Sequence, residues 1–167
     1  QMEQGVGQDH EVVWFEGLRM RARFAALMWR NGKLRLTLPE AYPAHRDVIE
    51  WGATLSADRI PERAVGIDLA TAKLMRWALQ SWARVDFMNR YLCGTLVPGL
   101  ELDLVPGLMC AGHFAIFSRS VISGLEGYLA AGGALQRFWL SAARTGHQVQ
   151  PEMTPVIFAR YVRERRK

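Results

Sequence analysis

The sequence predicts an α+β fold that is rich in helix, with a small, mainly antiparallel sheet packed against helices. Three observations carry that prediction. Long stretches repeat apolar residues at spacings of three and four, the helical period. Only short stretches alternate or run apolar between turn signals, and the best of them falls late in the chain. Of 167 residues, 50% are hydrophobic and 22% charged, with six tryptophans, which is enough to bury a core and too apolar for disorder. The length suits one domain, expected over residues 11–167 behind a flexible 1–10.

Residues 1–9 are polar and glycine-containing and read as a frayed end. The first helix is expected over roughly 11–30, where Val12, Phe15, Leu18, Ala22, Ala25, Ala26 and Trp29 recur at helical spacing. Asp9 or His10 stands at its cap, and Asn31-Gly32 is its expected stop. Residues 33–43 alternate weakly through Leu34, Leu36 and Leu38 and read as a short strand or linker bounded by Pro39 and Pro43. A second helix follows over 43–54. Residues 55–68 read as a structured loop punctuated by Pro61 and Gly66.

Asp68 is placed to cap a third helix over 69–92. Its apolar surface is wide, which predicts burial on more than one side and a homodimer. Residues 94–106 read as an irregular crossing in which Leu100, Leu102 and Leu104 alternate with Glu101 and Asp103, a candidate edge strand. Residues 108–118 are the best strand candidate. A helix over 122–145 carries Leu125, Tyr128, Leu129, Leu135, Phe138, Trp139 and Ala142 on one broad face, with Gly146 as its stop. Thr154 to Tyr161 closes the chain as a strand or short helix.

Net charge is +5, but Arg160, Arg163, Arg165, Arg166 and Lys167 crowd the end. The rest is nearly neutral, so the charge reads first as a solvated tail and second as a phosphate or nucleic-acid contact. Cys93 and Cys110 give no disulfide framework and read as buried thiols. The chain opens on Gln1 rather than an initiator methionine and looks trimmed or excised from something longer. No signal peptide or bilayer-length apolar run is visible, so a soluble, cytoplasmic protein without membrane contact is expected.

No zinc spacing, nucleophile elbow, phosphate loop or dinucleotide fingerprint occurs. His113 reads as a core histidine. Asp58, Glu62 and Asp68 beside Arg59 and Arg63 read as a salt-linked loop. The tryptophans read as packing or interface residues rather than a base-stacking platform.

Residues 131–158, AGGALQRFWLSAARTGHQVQPEMTPVIF, carry a resemblance. A small-residue helix start, then a pattern of the form aGxxxQxxxLxAxxxGL and a proline exit, resembles the late core of the nitroreductase family. The likeness is nearer to divergent nitroreductase-like domains fused to ThiF-type adenylating proteins. Residues 51–68 and 111–118 share weaker features with that group. His147 stands where the family prefers Leu. The small residues Gly132, Gly133 and Ala134 allow close approach, and Gln136 is positioned to reach a buried polar partner.

The resemblance implies an FMN-dependent, NAD(P)H-consuming oxidoreductase, with flavin at a dimer interface. Gln150, Pro151, Glu152 and Met153 then lie along the isoalloxazine, and Arg160 and Arg163 are nearest to the phosphate. In such enzymes the flavin carries the chemistry and no catalytic side chain is required. The family's arginine-rich phosphate segment is not present; Arg19, Arg21 and Arg23 copy its spacing only loosely, inside a helix. The competing expectations are a non-catalytic dimerisation, lid or docking module without flavin, partnered by an adenylating protein, and a basic nucleic-acid-binding domain.

Overall fold

In the computed structural model, which describes residues 2–165, helices dominate and strands are few. The order is β1 (His10–Phe15), α1 (Gly17–Thr37), α2 (Tyr42–Val48), β2 (Ile49–Glu50), β3 (Ile60–Pro61), α3 (Leu69–Ala78), α4 (Trp82–Tyr91), α5 (Leu96–Gly99), α6 (Val105–Met109), β4 (His113–Ser118), α7 (Gly124–Arg144) and α8 (Thr154–Arg165). This is α+β. Two compact units emerge: residues 1–21 with 111–152, and residues 22–110 with 153–167.

The first unit is an antiparallel ribbon packed on a helix. β1 pairs with β4 from His10↔Ser118 to Phe15↔His113. The two-residue period of a strand puts Val12 and Trp14 on one face, opposite Ile116 and Phe114, and that face meets Phe138 of α7. Phe138 is fully buried, with ring centroids 4.4 Å from Phe114 and 6.0 Å from Trp14. Residues 10–15 are thus strand and not the start of the expected helix. Val12, Val13, Trp14 and Phe15 are β-branched or aromatic, and pairing with a distant strand overrides their chance helical spacing.

The segment expected to fray forms a 3-10 turn at Glu3–Val6. Val6 is 2% exposed in the core, and the Arg137 guanidinium donates to the carbonyls of Gly5 and Val6 at 2.9 and 3.4 Å. α7 ends as expected: Gly146 is left-handed (φ 78), its N–H bonds Ala143 O, and His147 N–H bonds Ala142 O, both at 3.0 Å. That pair of bonds is a Schellman motif.

In the second unit α1 runs through Asn31-Gly32 to Thr37. Asn31 Nδ2 donates to Leu27 O within the helix, and Gly32 serves as a packing notch. A Cβ on Gly32 would lie 2.0 Å from Asp103 Oδ2. The expected stop is therefore a close approach, and the expected linker at 33–37 is helix. The helix expected over 69–92 breaks into α3 and α4, because Ser81 supplies a cap whose Oγ accepts from Arg84 N. Asp68 does cap α3, accepting from the N–H groups of Ala70 and Thr71 at 2.7 and 3.2 Å.

The crossing expected at 94–106 is helical instead. α5 and α6 are joined by a π turn at Leu100–Leu104, and the apparent alternation of Leu100, Leu102 and Leu104 lies inside it. Pro98 falls in the first turn of α5, where its missing N–H has no helical partner to lose. Leu108 and Met109 end α6, so the expected strand shortens to β4. Tyr42 OH donates to Leu79 O at 2.9 Å and its ring meets Trp82 edge-on, which fastens α2 to the α3–α4 corner. The chain's last described element is the helix α8; Arg166 and Lys167 of the basic tail lie outside the described residues.

Candidate functional site

The best-formed cavity lies in the second unit. It measures about 120 Å³ and is walled by α3, α4, α5 and Leu36 of α1. Leu74, Met75, Leu79, Val85, Met88 and Val97 make it apolar. Its two polar side chains are already engaged. Asn89 Nδ2 donates to Leu36 O at 2.8 Å, and Thr71 Oγ1 donates to Asp68 Oδ2 and sits 3.4 Å from Glu101 Oε1. Cys93 lies at the rim with φ 49 and is exposed, not the buried thiol expected; Cys110 is partly buried.

Asp68 and Glu101 form a carboxyl pair across Thr71. Hydrogen bonds from Thr71 and to Glu101 hold the Asp68 carboxyl down at about 2. Burial, then the hydrogen bond and charge of Asp68, raise Glu101. Like charges this close push the two titrations apart. Asp68 nevertheless serves as a helix cap, its oxygens occupied by two backbone N–H groups and the Thr71 hydroxyl. It is a structural anion, with no free lone pair directed into the cavity.

A second polar group sits deeper. Asp103, only 4% exposed, packs its carboxylate into the Gly32 notch, and Oδ2 finds no hydrogen-bond partner among the described residues. Burial raises its pKa while the Arg35 charge works against the rise. Arg35 Nε and His45 Nε2 are likewise buried without partners among the described residues. Burial first, and then the Arg35 charge, lower His45 from 6.5 to about 4, against a hydrogen bond to the Arg35 backbone. His45 is therefore neutral near neutral pH. No sequence signal marks this group: Glu101 and Asp103 look like the solvent side of a strand, and His45 stands alone between Ala44 and Arg46.

The six residues implied by the flavin resemblance fall in the coil after α7 and on α8. Gln150, Pro151 and Met153 are exposed and Glu152 is partly buried, in the coil between α7 and α8. Arg160 pairs with Glu164 at 2.7 Å on α8, and Arg163 Nε donates to Ala159 O. None of the six lines either described depression. Both cations thus interact within their own helix.

Gly132 and Gly133 lie in the middle of α7 rather than at its start. Gln136 is exposed with no hydrogen-bond partner among the described residues, and Trp139 is 41% exposed instead of filling the core. Glu62 Oε2 accepts from Gly52 N at 2.6 Å, and no ion pair links the 58–63 loop among the described residues. Also among the described residues, no cluster of three or more His, Cys, Asp or Glu is arranged to hold a metal ion, and no single helix is long and apolar enough to cross a membrane. Compared with known proteins, no family model, no curated protein and no solved structure matches this chain.

Proposed function

We propose that the chain is a non-catalytic docking module that presents apolar helix faces to a protein partner. One observation carries this reading. The chain exposes 12019 Å². The surface scaling of folded monomers gives about 8,300 Å² for its 18.9 kDa, and about 10,000 Å² even for two separate globules of half that mass. The excess is apolar in character: Leu69, Leu125, Leu129, Tyr91, Leu92 and Met109 are each more than half exposed. Exposed apolar surface on this scale marks interaction sites. The engaged polar groups of the cavity, and cations bonded within α8, give the module no assembled chemistry of its own.

The test is a visible spectrum of the full chain after incubation with excess FMN and desalting. A colourless protein is expected. Retained flavin absorbance would replace this reading with the FMN- and NAD(P)H-dependent oxidoreductase that the nitroreductase resemblance implies.

A further inference from the structure

α7 has two faces of different character. Ala134, Phe138 and Ala142 are fully buried against the ribbon and the 3-10 turn. On the other side Leu125, Leu129, Gly132, Gln136, Trp139 and Leu140 follow one another at helical spacing, covering about 100° of the circumference. Each is exposed, the leucines at 76%, 65% and 59%. No charge falls within that arc. Glu126, Arg137 and Arg144, the only ionic residues of the helix, lie on one flank. A shallow depression lined by Gly132, Leu135, Gln136, Trp139 and Leu140 marks the middle of the face. Among the described residues, nothing beyond its own helical turn lies within 4 Å of where a Gly132 Cβ would stand, so no such neighbour requires glycine there.

We propose that this face is covered by α7 of a second copy of the chain, the two helices crossing antiparallel at a twofold axis through Gly132. The proposal rests on the docking reading above and names its partner. Two features select a second copy over an unrelated protein. The face is arranged symmetrically about its glycine: Leu125 and Trp139 are equally far from it, so a twofold crossing sets each against the other, as an isologous contact requires. The flank is complementary as well. Glu126 of one copy comes level with Arg137 of the other, and Arg137 bonds only backbone carbonyls among the described residues. Gly132 at the crossing lets the helix backbones approach where any larger residue would hold them apart.

The experiment is light scattering on the full chain at micromolar concentration, alongside Gly132→Glu and a crosslinking pair. The wild-type chain is expected at about twice 18.9 kDa. Gly132→Glu places two like charges on the axis and is expected to run at the monomer mass with an unchanged far-ultraviolet spectrum, since a Cβ there meets nothing beyond its own helical turn among the described residues. In a Cys93→Ser, Cys110→Ser background, Gly132→Cys is expected to form a disulfide-linked dimer on oxidation. Leu125→Cys is not, because its two copies would stand about 21 Å apart along the helix axis. A monomeric wild type overturns the self-pairing while leaving the docking module to be judged by the FMN spectrum. A dimer that survives Gly132→Glu, or that crosslinks through Leu125→Cys, places the contact elsewhere and overturns it too.

Discussion

His45 makes the fold acid-sensitive by an amount that can be worked out. Its imidazole is largely withdrawn from water, beside the permanent charge of Arg35, and its pKa falls from 6.5 to about 4. Both causes oppose protonation. Because the folded-state value lies below the unfolded one, the stability that neutral His45 confers is complete above about pH 6.5. It drains away as the pH falls toward about 4. Integrating proton binding between those two values gives a loss of about 2 kcal/mol at about pH 5, and a limit of about 3 kcal/mol below the folded-state value.

The assay is urea unfolding at neutral pH and at about pH 5, for the wild-type chain and for His45→Gln, which keeps a polar side chain but cannot charge. Other groups titrate in both proteins and drop out of the difference. The wild type is expected to lose about 2 kcal/mol more than the variant on acidification. Parallel losses would refute the reasoning. So would a His45 ring whose proton resonances titrate near 6.5, because the burial and the Arg35 charge would then not be acting on it.

Two further outcomes follow from the first unit. Phe138→Ala removes a fully buried ring that meets Phe114 and Trp14, and should destabilise by about 3–5 kcal/mol in urea unfolding; a cost under about 1 kcal/mol would mean that the ribbon does not pack on α7. Gly146→Val forces a β-branched residue into φ 78 and should cost about 1–2 kcal/mol, seen as a melting temperature lower by several degrees, whereas an unchanged value would argue against the left-handed helix end.

What the sequence disclosed of this fold divides along the range of the forces involved. Gly146 and Asp68 were legible because a helix end is satisfied by its own neighbours: an N–H three or five positions away and a carboxylate two or three positions back. Residues 10–15 were not, because their fate is decided by a strand that enters at His113, after two thirds of the chain has intervened. Asn31-Gly32 shows the same limit from the other side. In a local reading the pair ends a helix; in the structure it continues one, because Gly32 makes room for the Asp103 carboxylate brought in by a helix that the local alternation of Leu100, Leu102 and Leu104 had disguised as a strand.

The candidate site follows the same division, and this bears on how the protein works. The resemblance over 131–158 selected Gln150 to Met153 with Arg160 and Arg163 as neighbours in sequence, and in the structure Arg160 and Arg163 bond within α8. The groups that do converge, Arg35, His45 and Asp103, come from three separate stretches and share no motif. Their unpartnered buried atoms are expensive to keep, and nothing in the apolar cavity uses them. Gln136 illustrates the complement: it lies amid exposed leucines on α7. Exposed on α7, its amide is satisfied by water, and in an antiparallel crossing at Gly132 it stands level with Tyr128 of the second copy.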